Sequence, residues 1–423
     1  MLPAVGRGPH VKRLKGFQEL ASVDEALERL SKRLQLKRLG TVTIPLEESL
    51  GRVTGNPIIA EADLPPFDRS AVDGYALRAE DTTGASQFQP RTLRLAKKQT
   101  IEERELKEIW TGNMLPKGAD AVAMLEHTKR TEGDIEILVS LTPGANVSKK
   151  GEDAKKREVV LGEGVRIRPH HLGLLAAFGK AEVEVVRKPK VAMVSTGNEL
   201  VALGERPRRP NTIVETNSII LSGMCAELGA EAFNFGIAKD DKNDIKKRII
   251  QGLKEADILI TTGGTSIGIH DLVPEVIEQI EPNSVVVHGI AIRPGMPTGL
   301  AVLHNKPVAI LSGNSVAATI GFEVFVRPLV QKLLGLVNET RTKLKARLTR
   351  RVAGALGRRV FLRVRVVEKT GEFVAIPIRV KGSGVITTMT KASGYVVIPE
   401  DREGLRENEM VIVHLFDAVK KEE

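Results

Sequence analysis

The stretch Ile258-Leu-Ile-Thr-Thr-Gly-Gly-Thr-Ser-Ile-Gly-Ile-His-Asp271 decides how the chain is read. An apolar run, 258–260, stops at Thr261-Thr-Gly-Gly264, a further glycine stands at 268, and a helical apolar pattern covers 272–280. This is the order strand, glycine-rich loop, helix. Glycines let backbone amides close around an anion, and a following helix N-terminus adds positive dipole. Thr265 and Ser266 add hydroxyl donors. An oxyanion cradle is one use of such a loop. A tight connection with Asp271 as helix N-cap is another, and the loop alone fits both.

The surrounding sequence repeats the same rhythm. Apolar strands are expected at 191–194, 232–237, 258–260 and 308–311, with helices at 218–228, 244–253, 272–280 and 316–334 between and after them. Alternating β and α elements imply a mostly parallel sheet. Each strand leads into a polar loop: Ser195-Thr-Gly-Asn-Glu199, Gly236-Ile-Ala-Lys-Asp-Asp241, the opening loop, and Ser312-Gly-Asn-Ser315. Ligands in open α/β sheets bind beyond the carboxyl ends of the strands. Together the four loops therefore mark a candidate site more firmly than any one of them.

Outside this core the sequence predicts a basic arm over 1–16 and a discontinuous α+β domain from 17–62 and 151–187. It further predicts a mostly-β insertion at 63–150, the α/β domain at 188–336 and a C-terminal β-barrel-like domain at 341–423. Ser22-Val-Asp-Glu25 is a capping box that opens a helix. Within the insertion the charged stripe 102–109 is the one segment with a helical pattern. Leu64-Pro-Pro-Phe-Asp-Arg-Ser-Ala-Val-Asp-Gly74 holds Asp73 in a rigid turn, where Asx-turn chemistry and ligand binding are both open. Arg363 and Arg365 alternate with Val364 and Val366, which places both on a solvated strand face. Gly382-Ser-Gly384 is a turn. His288 and Arg293 lie on an extended, proline-fixed segment.

Composition bounds the partners. A chain of 423 residues with 42% hydrophobic and 27% charged residues is multidomain and globular. Its net charge of +10 favours anionic ligands. At 3% aromatic residues, however, it lacks the stacking platforms of single-stranded nucleic-acid binders, so no nucleic-acid partner is expected. One cysteine, Cys225, excludes an intramolecular disulfide and a multi-cysteine zinc site, and its apolar setting makes it a core residue. No apolar run approaches the ~20 residues that span a bilayer, and no signal-peptide pattern follows Met1. A cytoplasmic protein without membrane contact is the expectation.

The motifs resemble one family. Pro66-Phe-Asp-Arg-Ser-Ala-Val-Asp-Gly-Tyr-Ala76, Thr111-Gly112, Gly151-Glu-Asp153, Ser195-Thr-Gly-Asn-Glu-Leu200, Thr216-Asn217, Asp240-Asp241, Gly263-Gly-Thr-Ser-Ile-Gly268 with Asp271, and Pro294-Gly295 are similar, in order, to the MoeA-type molybdopterin molybdenumtransferases, which include the gephyrin E domain. The resemblance implies that adenylylated molybdopterin and molybdate or tungstate are substrates, and that AMP leaves in a Mg²⁺-dependent cleavage while metal enters the dithiolene. It implies Asp73, Thr111, Asp153, Glu199, Asp240 and Asp271 as catalytic residues, with Glu199, Asp240 and Asp271 on the metal. It also implies substrate-binding roles for Ser195, Thr196, Gly197, Thr216, Asn217, Gly263, Gly264, Thr265, Ser266 and Gly268, and for Arg293, Ser312, Gly313, Asn314, Arg363 and Ser383. A homodimer with its site shared between subunits, and a transient contact with the adenylylating enzyme, belong to the same implication. The chain departs from the family where lysines are common: His288, Arg293 and Met296 stand there instead. Its loop Leu311-Ser-Gly-Asn-Ser315 also lacks two usual prolines, and Asn198 replaces a common Asp. These departures fit a paralogue tuned to another oxyanion, or a cofactor-binding or scaffold relative with weakened insertion activity.

Overall fold

The computed structural model describes residues 20–205, 210–265, 272–336, 339–369, 371–378 and 384–421. Backbone contacts divide the chain into two compact units, one of residues 41–185 and one of 1–40 with 186–423. Ser266, Gly268, Asp271 and Ser383 lie outside the described residues.

The larger unit begins with helix α1 (Val23–Arg33). Its capping box is formed: the Ser22 hydroxyl accepts from the Glu25 N–H, and Glu25 accepts from the Ser22 N–H. A six-stranded sheet follows, built from β1 (Lys190–Thr196), β2 (Glu231–Ala238), β3 (Ile258–Thr262), β4 (Val285–His288), β5 (Gly299–Leu303) and β6 (Lys306–Leu311). The order across it is β2-β1-β3-β6-β5-β4. The first four run parallel, with Val191 beside Ile258 and Leu259 beside Val308, and the last two antiparallel. Strands covered on both faces should be continuously apolar, and β3 and β5 are buried at every position. Helices α2 (Asn217–Leu228), α3 (Lys242–Glu255) and α4 (Leu272–Ile280) alternate with the strands. Ile245, Ile249, Val276 and Ile277 join Leu259 and Ile310 in one core. Cys225 is buried, as its apolar setting predicts.

Two expectations are corrected here. Strand β2 runs to Ala238, so the loop after it is only Lys239 to Asp241, and Asp241 caps α3 by accepting from the Asn243 and Asp244 N–H groups. The helix expected over 316–334 is interrupted: α5 (Ser315–Gly321) passes into a π-turn at Phe322–Val326 before α6 (Arg327–Leu334). Glu323 sits in that turn with its side chain buried. Arg327 Nε donates to it at 2.8 Å and Arg341 Nε at 3.1 Å. Arg341 also lies over the Phe416 ring, 5.4 Å from its centre. One carboxylate thereby ties the helix to the strands that follow.

Those strands, β7 (Lys343–Leu348), β8 (Arg359–Lys369), β9 (Glu372–Pro377), β10 (Gly394–Ile398) and β11 (Met410–Leu415), close a five-stranded barrel in the order β8-β9-β7-β11-β10 and back to β8. Val360, Leu362, Val364 and Val366 fill its interior, as their alternation predicts. The opposite face of β8 is not uniformly solvated. Arg365 is exposed, but Arg363 is only 3% exposed. The sequence could not show that a cavity wall covers this part of the strand.

In the smaller unit six strands pair in the order Ala121–Met124, Gly74–Leu77, Glu105–Ile109, Arg91–Leu95, Asp134–Ile137, Thr128–Arg130. The helical pattern at 102–109 is overturned: Glu105–Ile109 is a strand that pairs with both Gly74–Leu77 and Arg91–Leu95. Leu106 and Ile109 stand three apart, a spacing that suits a helix face. Arg104 at φ 57° breaks the helix before it starts, and both side chains are buried by the sheet instead.

Burial alone would raise the Glu323 pKa, but the hydrogen bonds from Arg341 and Arg327 outweigh it and hold the carboxyl below its ordinary 4.5. Its stabilising contribution is therefore present above pH 4.5 and is lost as pH falls through the lowered folded value. Glu323→Gln leaves two arginines without their counter-charge, and urea unfolding at pH 7 should show a loss of about 3 kcal/mol or more.

Candidate functional site

The parallel strands end side by side, so their loops must meet at one edge of the sheet. Gly263 and Gly264 leave β3 with φ of 86° and 62°, left-handed values that favour glycine. Space makes the same demand. A Cβ on Gly264 would lie 2.8 Å from Thr196 Oγ1 and 2.7 Å from Val273 Cγ2. The Gly263 N–H donates to the Leu311 carbonyl at 3.1 Å, which binds this loop to the loop after β6. The Gly264 and Thr265 N–H groups have no acceptor among the described residues.

The loop after β1 is fixed from the other side. The Asn198 N–H donates to Asp240 Oδ2 and the Asp240 N–H to Asn198 Oδ1, each at 3.2 Å. Gly197 carries the Glu199 carboxylate folded back over it, and a Cβ there would meet both carboxylate oxygens at 2.6 and 2.7 Å. At the start of α2, Asn217 Nδ2 donates to the Gly313 carbonyl at 2.8 Å, and Thr216 Oγ1 is 3.3 Å from Ser315 Oγ. Asn217 Oδ1 is buried without a hydrogen-bond partner.

Two cavities result, and their charges are segregated. The first, of about 510 Å³, is lined by Thr196, Gly197, Glu199, Thr216, Asn217, Asp240, Gly263, Gly264, Thr265, Ser312, Gly313 and Asn314, among others. Among the described residues its ionisable side chains are all carboxylates, Glu199, Glu215 and Asp240. The second, of about 550 Å³, is lined by Arg293, Arg358 and Arg363 and, among the described residues, by no carboxylate. Pro297, Ser312 and Asn314 belong to both. Arg363 Nε is buried and has no hydrogen-bond partner among the described residues, and burial pushes its guanidinium below the usual arginine value.

Several expected residues fall elsewhere. Ser195 is a buried strand residue whose Oγ accepts from Thr262 Oγ1 at 3.1 Å, and it reaches neither cavity. His288 lines neither, and its burial lowers its pKa, so it is neutral at pH 7 and supplies no cation there. In the smaller unit, Asp73 Oδ1 accepts from both the Thr111 N–H and the Thr111 Oγ1, each at 2.7 Å. These bonds lower the Asp73 pKa. Asp153 is exposed on the turn after Lys149. Among the described residues no three His, Cys, Asp or Glu side chains converge as a metal site. Glu215, Pro297, Arg358 and Phe361 were not foreseen. The adjacent pair Arg358-Arg359 before a strand was the one signal available for Arg358.

Fold and cavities together define an α/β protein that presents glycine-rich loops and charged pockets at the ends of parallel strands, with barrel residues lining the second pocket. Three family models match the chain: "MoeA N-terminal region (domain I and II)" over 21–179, "Probable molybdopterin binding domain" over 192–332, and "MoeA C-terminal region (domain IV)" over 345–416. A Methanocaldococcus jannaschii protein named for molybdopterin biosynthesis is 38% identical over 96% of this chain and 100% of its own. The molybdopterin molybdenumtransferase of Bacillus subtilis is 34% identical over 93% of this chain and 94% of its own. The crystal structure of a molybdopterin biosynthesis MoeA protein from Pyrococcus horikoshii covers 95% of this chain and 100% of its own, at 38% identity and a TM-score of 0.78. The chain belongs to the MoeA family.

Because both spacing and φ require glycine at 264, Gly264→Ala should strain the loop by about 1–3 kcal/mol. Thermal unfolding should show that loss, while Gly179→Ala, at a positive-φ glycine with open space around it, should lose less.

Proposed function

We propose that the chain is a molybdopterin molybdenumtransferase of molybdenum cofactor biosynthesis, acting on adenylylated molybdopterin and on molybdate or tungstate. The observation that carries the proposal is the pair of adjoining cavities of opposite charge, one carboxylate-lined beneath free backbone amides and one arginine-lined, sharing Ser312 and Asn314. Family membership supports the substrate class.

In this reading the Gly264 and Thr265 amides receive the phosphate oxygens of the adenylylated pterin. The second cavity holds the oxyanion, with Arg363 and Arg293 donating to it. Water cleaves the phosphoanhydride, releasing AMP and leaving the pterin's own phosphate, and the oxyanion's metal takes the two dithiolene sulfurs while one of its oxo oxygens leaves as water with the two thiol protons. Glu199 and Asp240, with Asp271 expected from sequence as a third carboxylate, would hold Mg²⁺. Hard oxygen donors in small number, completed by substrate phosphate, are the set this ion takes. When bound it supplies neutralisation of the charge that builds on the phosphate. Ser266, Gly268 and Ser383 keep their proposed binding roles, and Asp73, Thr111 and Asp153 are proposed to handle substrate from the smaller unit. The proposal extends to a homodimeric, cytoplasmic protein charged with substrate by the adenylylating enzyme. No observation favours a scaffold that lacks the activity.

Purified protein given adenylylated molybdopterin, Mg²⁺ and either oxyanion should release AMP, and a folded protein that releases none with both would overturn the proposal. Arg363→Gln should lower oxyanion-dependent release about 100-fold or more, the scale seen when a charge-stabilising donor is removed. Glu199→Gln and Asp240→Asn should each raise the Mg²⁺ concentration needed for half-maximal rate.

A further inference from the structure

Two neighbouring arginines at the mouth of the barrel have opposite electrostatic fates. The Arg359 guanidinium is neutralised: its Nη2 is 2.7 Å from Asp24 Oδ2 and its Nε 3.0 Å from Glu400 Oε1. Arg358, one residue earlier, has no carboxylate partner among the described residues, is exposed, and lines the second cavity. Its position is fixed by the backbone around it. The Gly357 N–H donates to the Glu400 carbonyl at 2.8 Å, the Arg358 N–H to the Ala355 carbonyl at 2.9 Å, and the Arg359 N–H to the Ala291 carbonyl at 2.8 Å.

The cavity thus gathers three guanidinium groups, Arg293, Arg358 and Arg363, with no acid among the described residues of its lining. Like charges in a shared low-dielectric space repel, and a protein that needed only structural arginines would pair them, as it pairs Arg359. Arg363 is buried and its Nε is unsatisfied, so it can donate at the floor but cannot act at long range. A tetrahedral dianion has acceptor oxygens for more than one guanidinium fork. An exposed guanidinium at the entrance also raises the local concentration of a small anion, an effect that weakens with salt.

We propose that Arg358 is a further oxyanion-binding residue of this cavity, drawing molybdate or tungstate in and donating to the bound dianion opposite Arg363. The inference rests on the oxyanion placement proposed above. Arg365, on the same strand but outside the cavity lining, takes no part and serves as an internal control.

Calorimetric titration of the full-length protein with sodium tungstate tests it at low and at physiological salt. Arg358→Gln should weaken tungstate binding about tenfold, the scale of one charge-assisted contact, and should flatten the salt dependence. Arg358→Lys should recover part of the affinity, and Arg365→Gln should match the parent. In AMP release, Arg358→Gln should raise the oxyanion KM and leave kcat unchanged, with an unaltered melting temperature. If Arg358→Gln binds tungstate as the parent does while Arg363→Gln does not, the role of Arg358 is overturned and the cavity assignment stands. If neither substitution weakens binding, the oxyanion placement itself is overturned.

Discussion

The site depends on the close approach of the loop after β3 to Thr196 at the end of β1. Neither Gly263 nor Gly264 has room for a side chain, and both hold left-handed backbone. Four parallel strands force their loops onto one edge, but parallel pairing alone does not decide how near the loops come. The glycines decide it. Because they let β3's loop lie against its neighbours, the Gly263 N–H reaches the Leu311 carbonyl, Gly313 accepts from Asn217, and the two polar cavities share a wall.

The charge pattern around that wall follows from which residues are neutralised and which are not. Glu323 is buried between two arginines and Arg359 is held by two carboxylates, so these charges serve the packing of helix and barrel. Glu199 and Asp240 form no ion pair among the described residues; the Asp240 carboxylate accepts from the Asn198 N–H, and the Glu199 carboxylate lies over Gly197. Arg293, Arg358 and Arg363 have no counter-charge among the described residues. The structural ions are paired, whereas the cavity arginines have no carboxylate partner among the described residues.

Much of this was legible in the sequence because it depends on local pattern. The apolar runs at 258–260 and 308–311, the Ser22 capping box and the alternation at Val360, Leu362, Val364 and Val366 each act over a few residues, and each formed as its pattern requires. The four strand-end loops could be named because parallel strands must place them together. What failed depended on neighbours distant in sequence. The stripe at 102–109 became a strand because two other strands flank it, Arg363 was buried by a cavity wall, and Ser195 accepts from Thr262 inside the sheet and lines neither pocket. His288 stands where lysine is common in the family, but burial lowers its pKa and it lines neither cavity.

Pro297, Ser312 and Asn314 face both the carboxylate-lined and the arginine-lined cavity. A protein that divides a carboxylate-lined chamber from an arginine-lined one with shared side chains cannot vary those side chains for one chamber only. Any residue change there alters both chambers at once, whereas Met296, Phe361 and Arg358 touch the second cavity alone. The partition therefore sets where in the sequence the second chamber can change without disturbing the first.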